Sequence, residues 1–299
     1  MAFFANLFGY LLNFIYNIIG NYGWAIIVFS IVIKLLMLPL SIKQQKTLKK
    51  NSKIQEKMKE IQFKYKNDPE KLNQATMQLY KDENVSPFSG CFSGIIQIVL
   101  LISIFYLVRS PLTHMKKVDS SVVNKYYAIM QEEELSTGSG YPEIEIIRET
   151  EALKKLENEK INQEELEKIE TNMEFLGLDL SQIPSQNKSD WKVFIIPVLY
   201  VIVSFATMKV SLGATQNNKK KEENKLLNED NTKQESTEQA GDMQEAMEQV
   251  NQNMSMIFPI MYLAVAIIAP LGLALYWLVN SLLMTGERLI LNKVIKDEE

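Results

Sequence analysis

The chain has 299 residues, with 36 acids against 32 Lys and Arg for a net charge of −4, and a mean hydropathy of −0.08. These averages suit a soluble protein but hide segregation: apolar runs at 24–42, 92–108, 192–212 and 256–285 are nearly free of charge, and the charge crowds between them. A lone cysteine, Cys91, and a lone histidine, His114, exclude an internal disulfide and leave little for metal ligation, so the chain reads as an all-α polytopic membrane protein with no cofactor.

Residues 3–20 carry no charge, and the segment has neither the basic n-region nor the small-residue cleavage site of a secretory signal. Asn6, Gly9, Asn13, Asn17 and Gly20 recur at helical spacing, leaving Phe, Leu and Ile on the other face. The pattern predicts an amphipathic helix over 1–22 lying in the membrane interface, with a short extra span as the alternative.

Tyr22 and Trp24 are aromatic anchors for a first span over 23–42. Its run WAIIVFSIVIKLLMLPL carries a single cation, Lys34, near the middle. A lysine at the centre of a spanning helix costs roughly 2.5–3.5 kcal/mol on insertion scales, and such groups usually face a bundle interior or a water-filled cavity. The plainer reading is snorkelling, but Lys43 marks the water side about nine residues on. That is roughly 13 Å at 1.5 Å per residue, further than a four-carbon stem reaches without a local water defect. Ser30, Lys34 and Ser41 share one helix face, and Pro39 removes a backbone donor, which loosens the last turns.

Residues 43–90 are basic and polar, which places them in the cytoplasm. Ile54, Met58, Ile61 and Tyr65 form an apolar stripe. Asn67-Asp68-Pro69 then interrupts it, with Asp68 as N-cap and Pro69 at the first helical position. Leu72, Thr76, Leu79 and Tyr80 complete an antiparallel helical hairpin. Its lysines, among them Lys46, Lys49, Lys50, Lys53 and Lys57, either form a solvated face or dock anionic partners, lipid headgroups or RNA. No motif for specific nucleic-acid readout accompanies them.

The second span, 91–109, carries Ser93, Gly94 and Gln97 on one face. An amide at that depth needs a partner or water, and helix–helix hydrogen bonding would provide one. Residues 110–190 form a long acidic extracytoplasmic loop in which two helices are expected, most of its charge forming a solvated face. Asn162 and Glu165 have the spacing of a capping box. The third span, 191–212, has Ser204, Thr207, Met208 and Ser211 at one-face spacing, and the polar segment 213–253 reads as a flexible cytoplasmic loop. Residues 254–292 are too long for one span. Ala269-Pro270-Leu271-Gly272 breaks them into a hairpin of fourth and fifth spans, the fifth presenting Tyr276, Asn280 and Glu287. Five spans place the N-terminus outside and the tail, 293–299, in the cytoplasm.

Four of the five spans thus carry polar or ionisable groups, weighted toward the cytoplasmic side. One shared hydrated groove accounts for them more economically than separate partners. Lys34 has no intramembrane carboxylate or histidine relay beside it, and no internal repeat is visible, so proton-coupled transport lacks its usual parts. No nucleotide loop, metal cluster or nucleophile–base pair marks an enzyme.

Four stretches, GWAIIVFSIVIKLLMLPLSIKQQK, KYKNDPEKLNQATMQLYKDENVSPFSGC with IIQ following, FLGLDLSQIP and IAPLGLALYWLVNSL, together resemble the YidC/Oxa/Alb membrane protein insertases, in order and over most of the chain. The resemblance implies that Lys34 is the basic residue of a groove closed toward the outside. That groove receives the polar part of a nascent membrane protein and releases its hydrophobic segment into the lipid bilayer. It also implies that the basic hairpin receives substrates, and that the Sec translocon, the signal recognition particle receptor and the ribosome are partners. Several positions depart from the family. Lys34 stands where arginine is commoner, Ser93 and Val99 stand where proline is frequent, Glu287-Arg288 replaces a pair of glutamines, and the tail ends in Asp297-Glu298-Glu299. A reading from another class is a small-anion transporter or channel with Lys34 as its binding charge.

Overall fold

A computed structural model describes residues 2–65, 68–83, 89–156, 159–207 and 263–294. Ser211, the loop 213–253, the start of the 254–292 hairpin and the end of the tail lie outside these residues. The described backbone is helical apart from one small antiparallel hairpin, β1 (Glu174–Phe175) and β2 (Leu178–Asp179), which the all-helical expectation did not include. The chain divides into two compact units, the first comprising Met1–Leu36, Ile98–Ser204 and Met261–Met284, the second Met37–Gln97, Phe205–Ile260 and Thr285–Glu299.

In the first unit, α1 (Ala2–Ile19) packs one face inward and turns an apolar face outward. Ala5, Gly9, Leu12 and Tyr16 are buried, whereas Phe3, Leu7, Tyr10, Phe14 and Ile18 are exposed. The cause is close packing on α5 (Pro111–His114): a Cβ at Gly9 would lie 1.8 Å from the His114 carbonyl oxygen, so the small face must lie inward. Asn6 then meets His114, with Oδ1 and Nδ1 3.0 Å apart.

Helix α2 (Tyr22–Lys64) begins in this unit, and its apolar part, Tyr22–Thr47, is long and apolar enough to cross a membrane. Pro39 lies inside α2 without ending it and forfeits the bond its nitrogen would give to the Leu35 carbonyl. Shorter apolar helices run over Phe3–Ile19, Ile98–Arg109 and Trp191–Thr207. The second of these is the end of α4 (Ser89–Arg109).

Where two helices are expected in 110–190, the described residues form five short ones: α5, α6 (Ser120–Glu132), α7 (Pro142–Arg148), α8 (Thr150–Lys155) and α9 (Gln163–Ile169). Pro111 and Pro142 each occupy a first turn, and the apolar positions come in bursts too short for longer helices. Their buried side chains, including Leu112, Tyr126, Met130, Ile146 and Leu166, join one core with Phe29, Leu107 and Leu275 of the apolar helices. Asn162 caps α9 as expected, accepting from the Glu164 and Glu165 amides. The reciprocal half of the box is absent, because Glu165 turns to Lys125 and Tyr126 while the Tyr126 hydroxyl accepts from the Asn162 amide.

The stretch after α9 ties the apolar helices together at one end. The Asn172 carbonyl accepts from Tyr22, the Leu180 and Gln182 carbonyls accept from Gly272 and Leu271, and Ser185 donates to Ile267. Phe175 stacks edge-on against Trp24 and fills the space a side chain at Gly23 would need. A 3-10 turn, Trp191–Phe194, capped by Asp190, leads into α10 over 195–207. The helix α11 over 263–268 ends at the Ala269-Pro270 break, and α12 (Leu271–Val294) follows.

In the second unit, α3 (Pro69–Asp82) starts where the sequence predicts, the Asp68 side chain accepting from the Lys71 amide. Ile54 of α2 and Leu79 of α3 are buried, and the Thr76 hydroxyl lies 3.4 Å from Met58 Sδ. An ion pair of Lys57 with Glu83 closes the hairpin's open end.

Candidate functional site

Lys34 stands twelve residues after Tyr22 and thirteen before Thr47 in the apolar part of α2. It continues the row Ile26, Ser30 at intervals of four, in which both predecessors are buried, whereas Val28, Ile31 and Leu35 form an exposed apolar ridge. Lys34 itself is half-buried. Lys34 thus stands at the boundary between the buried row and the exposed ridge, where a cation gains from polar surroundings. Ser30 contributes less than its spacing promised: its hydroxyl donates to the Ile26 carbonyl at 2.7 Å and is absorbed by its own helix.

The other positions expected in the groove divide between the units. In the first, Ser204 is half-buried near the end of α10, Tyr276 is buried in α12, and Asn280 is half-buried one turn on, with its amide nitrogen 3.9 Å from Met284 Sδ. The Tyr200 and Trp277 rings, 6.5 Å apart, pack α10 beside α12. In the second unit, the Thr207 and Thr285 hydroxyls are 2.7 Å apart, and Glu287 is half-buried. Ser93 and Gln97 lie in α4, but their side chains are outside the described residues, as is Ser211. Lys46, Lys50 and Lys57 are exposed on α2; Lys49 and Lys53 share that helix, their side chains undescribed.

Sequence reading did not find the buried carboxylates of the 110–190 segment. Glu145 is fully buried and accepts four hydrogen bonds, from the Ser136 hydroxyl, the Thr137 amide and hydroxyl, and the Ser139 amide. Burial pushes its carboxyl up, but the bonds from Ser139, Thr137 and Ser136 outweigh that and hold it at about 2. Glu143, accepting from the Thr113 amide and hydroxyl, is instead raised above the usual carboxyl range by desolvation. The hydroxyl-rich run Ser136-Thr137-Gly138-Ser139 was the available signal. His114 is held below its usual range by burial and by the Lys117 charge, so it is neutral near pH 7. Among the described residues no group of three His, Cys, Asp or Glu side chains is placed to hold a metal.

The profile of the 60Kd inner membrane protein family matches residues 14–298. A membrane protein insertase YidC of Caldanaerobacter subterraneus subsp. tengcongensis is 42% identical over 110 residues, 37% of this chain and 53% of the relative. Proteins of the same name from Helicobacter pylori and Burkholderia multivorans are 40% and 39% identical over 105 and 99 residues, 35% and 33% of this chain. The aligned stretch covers 19% and 18% of those two relatives, so the similarity spans about half of one protein and about a fifth of the others.

Proposed function

The chain belongs to the 60Kd inner membrane protein family, and we propose that it acts as a bacterial membrane protein insertase and chaperone. The observation that carries this reading is the half-buried Lys34, midway along the apolar part of α2 and off its exposed ridge. A cation there attracts acidic residues and shelters polar segments of a nascent membrane protein while its hydrophobic span moves into lipid. Burial of about 20 apolar residues drives the release, so binding and partition suffice without covalent chemistry. The five-span arrangement, with the polar groove open to the cytoplasm, the N-terminus outside and the C-terminus inside, is part of the proposal. The backbone ties of Asn172, Leu180 and Gln182 to the starts of α2 and α12 support closure at the opposite end.

The exposed lysines of the α2–α3 hairpin, with Lys46 and Lys50 foremost, are the proposed docking surface for incoming partners. The ribosome, the signal recognition particle receptor and the Sec translocon are the partners to test there. No observation favours the small-anion transporter. A photo-crosslinking amino acid at position 30, one turn from an intact Lys34 on the same row of α2, should capture a ribosome-stalled single-span chain in membranes. Crosslinks confined to lipid, with none to the nascent chain, would refute the proposal.

A further inference from the structure

A cavity of about 490 Å³ opens where the second half of α1 meets the turn between α5 and α6 and the helix α9. Asn13 and Asn17 line it from α1, Lys116 and Lys117 from the turn, and Asp119 and Glu165 from α6 and α9. The acids are already engaged. Asp119 accepts from the Ser121 amide as the cap of α6, and Glu165 pairs with Lys125 and accepts from the Tyr126 hydroxyl.

The cations are not engaged in the same way. Among the described residues, neither Lys116 nor Lys117 is in ion-pair contact with a carboxylate. The Lys116 ammonium sits 4.6 Å over the Tyr16 ring; that of Lys117 donates to the Asn6 carbonyl and side-chain oxygens and lies 4.1 Å over the Tyr10 ring. Desolvation holds both below the ordinary lysine range, and for half-buried Lys116 it outweighs the attraction of Glu170, a carboxylate already paired with Lys154. Glu167 and Lys168 at the rim are exposed and opposite in charge. The cavity thus offers two ammonium groups and two side-chain amides to an anion.

The surroundings identify its source. Phe14 and Ile18, each the residue after a lining asparagine, belong with Tyr10 to the exposed apolar ridge of α1. The cavity also lies beside Tyr16, whose hydroxyl accepts from the Asn172 amide, and Asn172 in turn accepts from Tyr22 at the start of the apolar span. A ligand here has its charge among lysines and amides and its remainder along an apolar helix face at the end of a membrane-crossing segment, as a phospholipid does. We propose that this cavity binds the phosphate of an anionic phospholipid, with Lys116 and Lys117 as its charge partners, Asn13 and Asn17 as amide donors, and the acyl chains along Tyr10, Phe14 and Ile18. A net-negative headgroup is selected because, among the described residues, neither Lys116 nor Lys117 is in ion-pair contact, and a choline group would add a further cation. The site is independent of whether Lys34 receives substrates.

The test uses the full chain in phosphatidylcholine nanodiscs doped with phosphatidylglycerol, with retained lipid read by native mass spectrometry. The double variant Lys116→Gln/Lys117→Gln should retain about tenfold less phosphatidylglycerol than wild type. The corresponding double arginine variant and Lys192→Gln, outside the cavity, should match wild type. Asn17→Asp, which places an acid on the cavity's edge without touching the core, should also lower retention; unchanged retention in Asn17→Asp would overturn the site even if the double variant fails to fold. Equal retention by wild type and the double variant, or an equal loss in Lys192→Gln, would overturn it as well. Retention abolished by inorganic phosphate as completely as by the double variant would assign a free-phosphate site and overturn the lipid.

Discussion

Glu145 and Lys34 are both ionisable groups withdrawn from water, yet only one was visible in the sequence. Lys34 interrupts a long apolar run, so its cost is legible locally. Glu145 lies in a segment dense with acids, and its burial depends on the hydroxyls of Ser136, Thr137 and Ser139 folding back on it. Glu151, six residues on, is exposed and paired with Lys154, and nothing in the local pattern separates the two. Replacing Glu145 by Ala removes a buried carboxylate that accepts four hydrogen bonds, two of them from the Thr137 and Ser139 amides, and should cost about 3 kcal/mol of stability at pH 7. Because the folded-state pKa is depressed, to about 2, the carboxylate's contribution is full above the ordinary carboxyl range and is lost as pH falls through about 2. The gap in apparent melting temperature between wild type and Glu145→Ala should therefore narrow as pH is lowered toward 2. His114 acts in the same direction at higher pH. Its folded pKa is lowered, so the unfolded chain binds the proton first and stability falls as pH drops below the ordinary histidine value near 6.5. Wild type should melt lower at pH 5 than at pH 7, and His114→Gln should lose most of that dependence.

For α1 the periodicity revealed two faces but not which one packs on the protein, since a helix in the membrane interface turns its apolar face to lipid. The decisive fact is the approach of Gly9 to the His114 carbonyl, a contact between residues about a hundred positions apart. Gly9→Ala tests it with opposed expectations. Helix propensity would stabilise α1 by about 1 kcal/mol, whereas a Cβ 1.8 Å from a backbone oxygen forces the helix away, at a net cost of about 1–3 kcal/mol. Hydrogen exchange along α1 should accelerate in the variant; slower exchange would mean that the helix is not docked there. Elements whose ends are chemically marked were easier. Asp68-Pro69 and Asn162 both announce a helix start through capping, and both do so in the folded chain. The division of 110–190 into short helices was less legible, α9 apart, because their stripes span only one or two turns each, below the length at which helical period is distinctive.

At the scale of the whole molecule, the order of apolar segments and the basic hairpin can be read from charge segregation. The ties that fasten residues 172–185 to Tyr22, Leu271 and Gly272 cannot, since they are backbone hydrogen bonds between distant stretches. Those ties join the starts of α2 and α12 to the 172–185 stretch, and Lys34 lies about a dozen residues along α2 from them. The central claim of the insertase proposal is that the Lys34 charge, rather than the protein's bulk, assists insertion. The direct test is insertion of a short single-span protein with an acidic translocated segment into vesicles carrying wild type, Lys34→Arg, Lys34→Ala or Lys34→Glu at equal amounts. Wild type and Lys34→Arg should insert the substrate comparably, Lys34→Ala about tenfold less if roughly 1.4 kcal/mol of charge attraction is lost, and Lys34→Glu least. Equal insertion by all four, or by vesicles without the protein, would contradict the account.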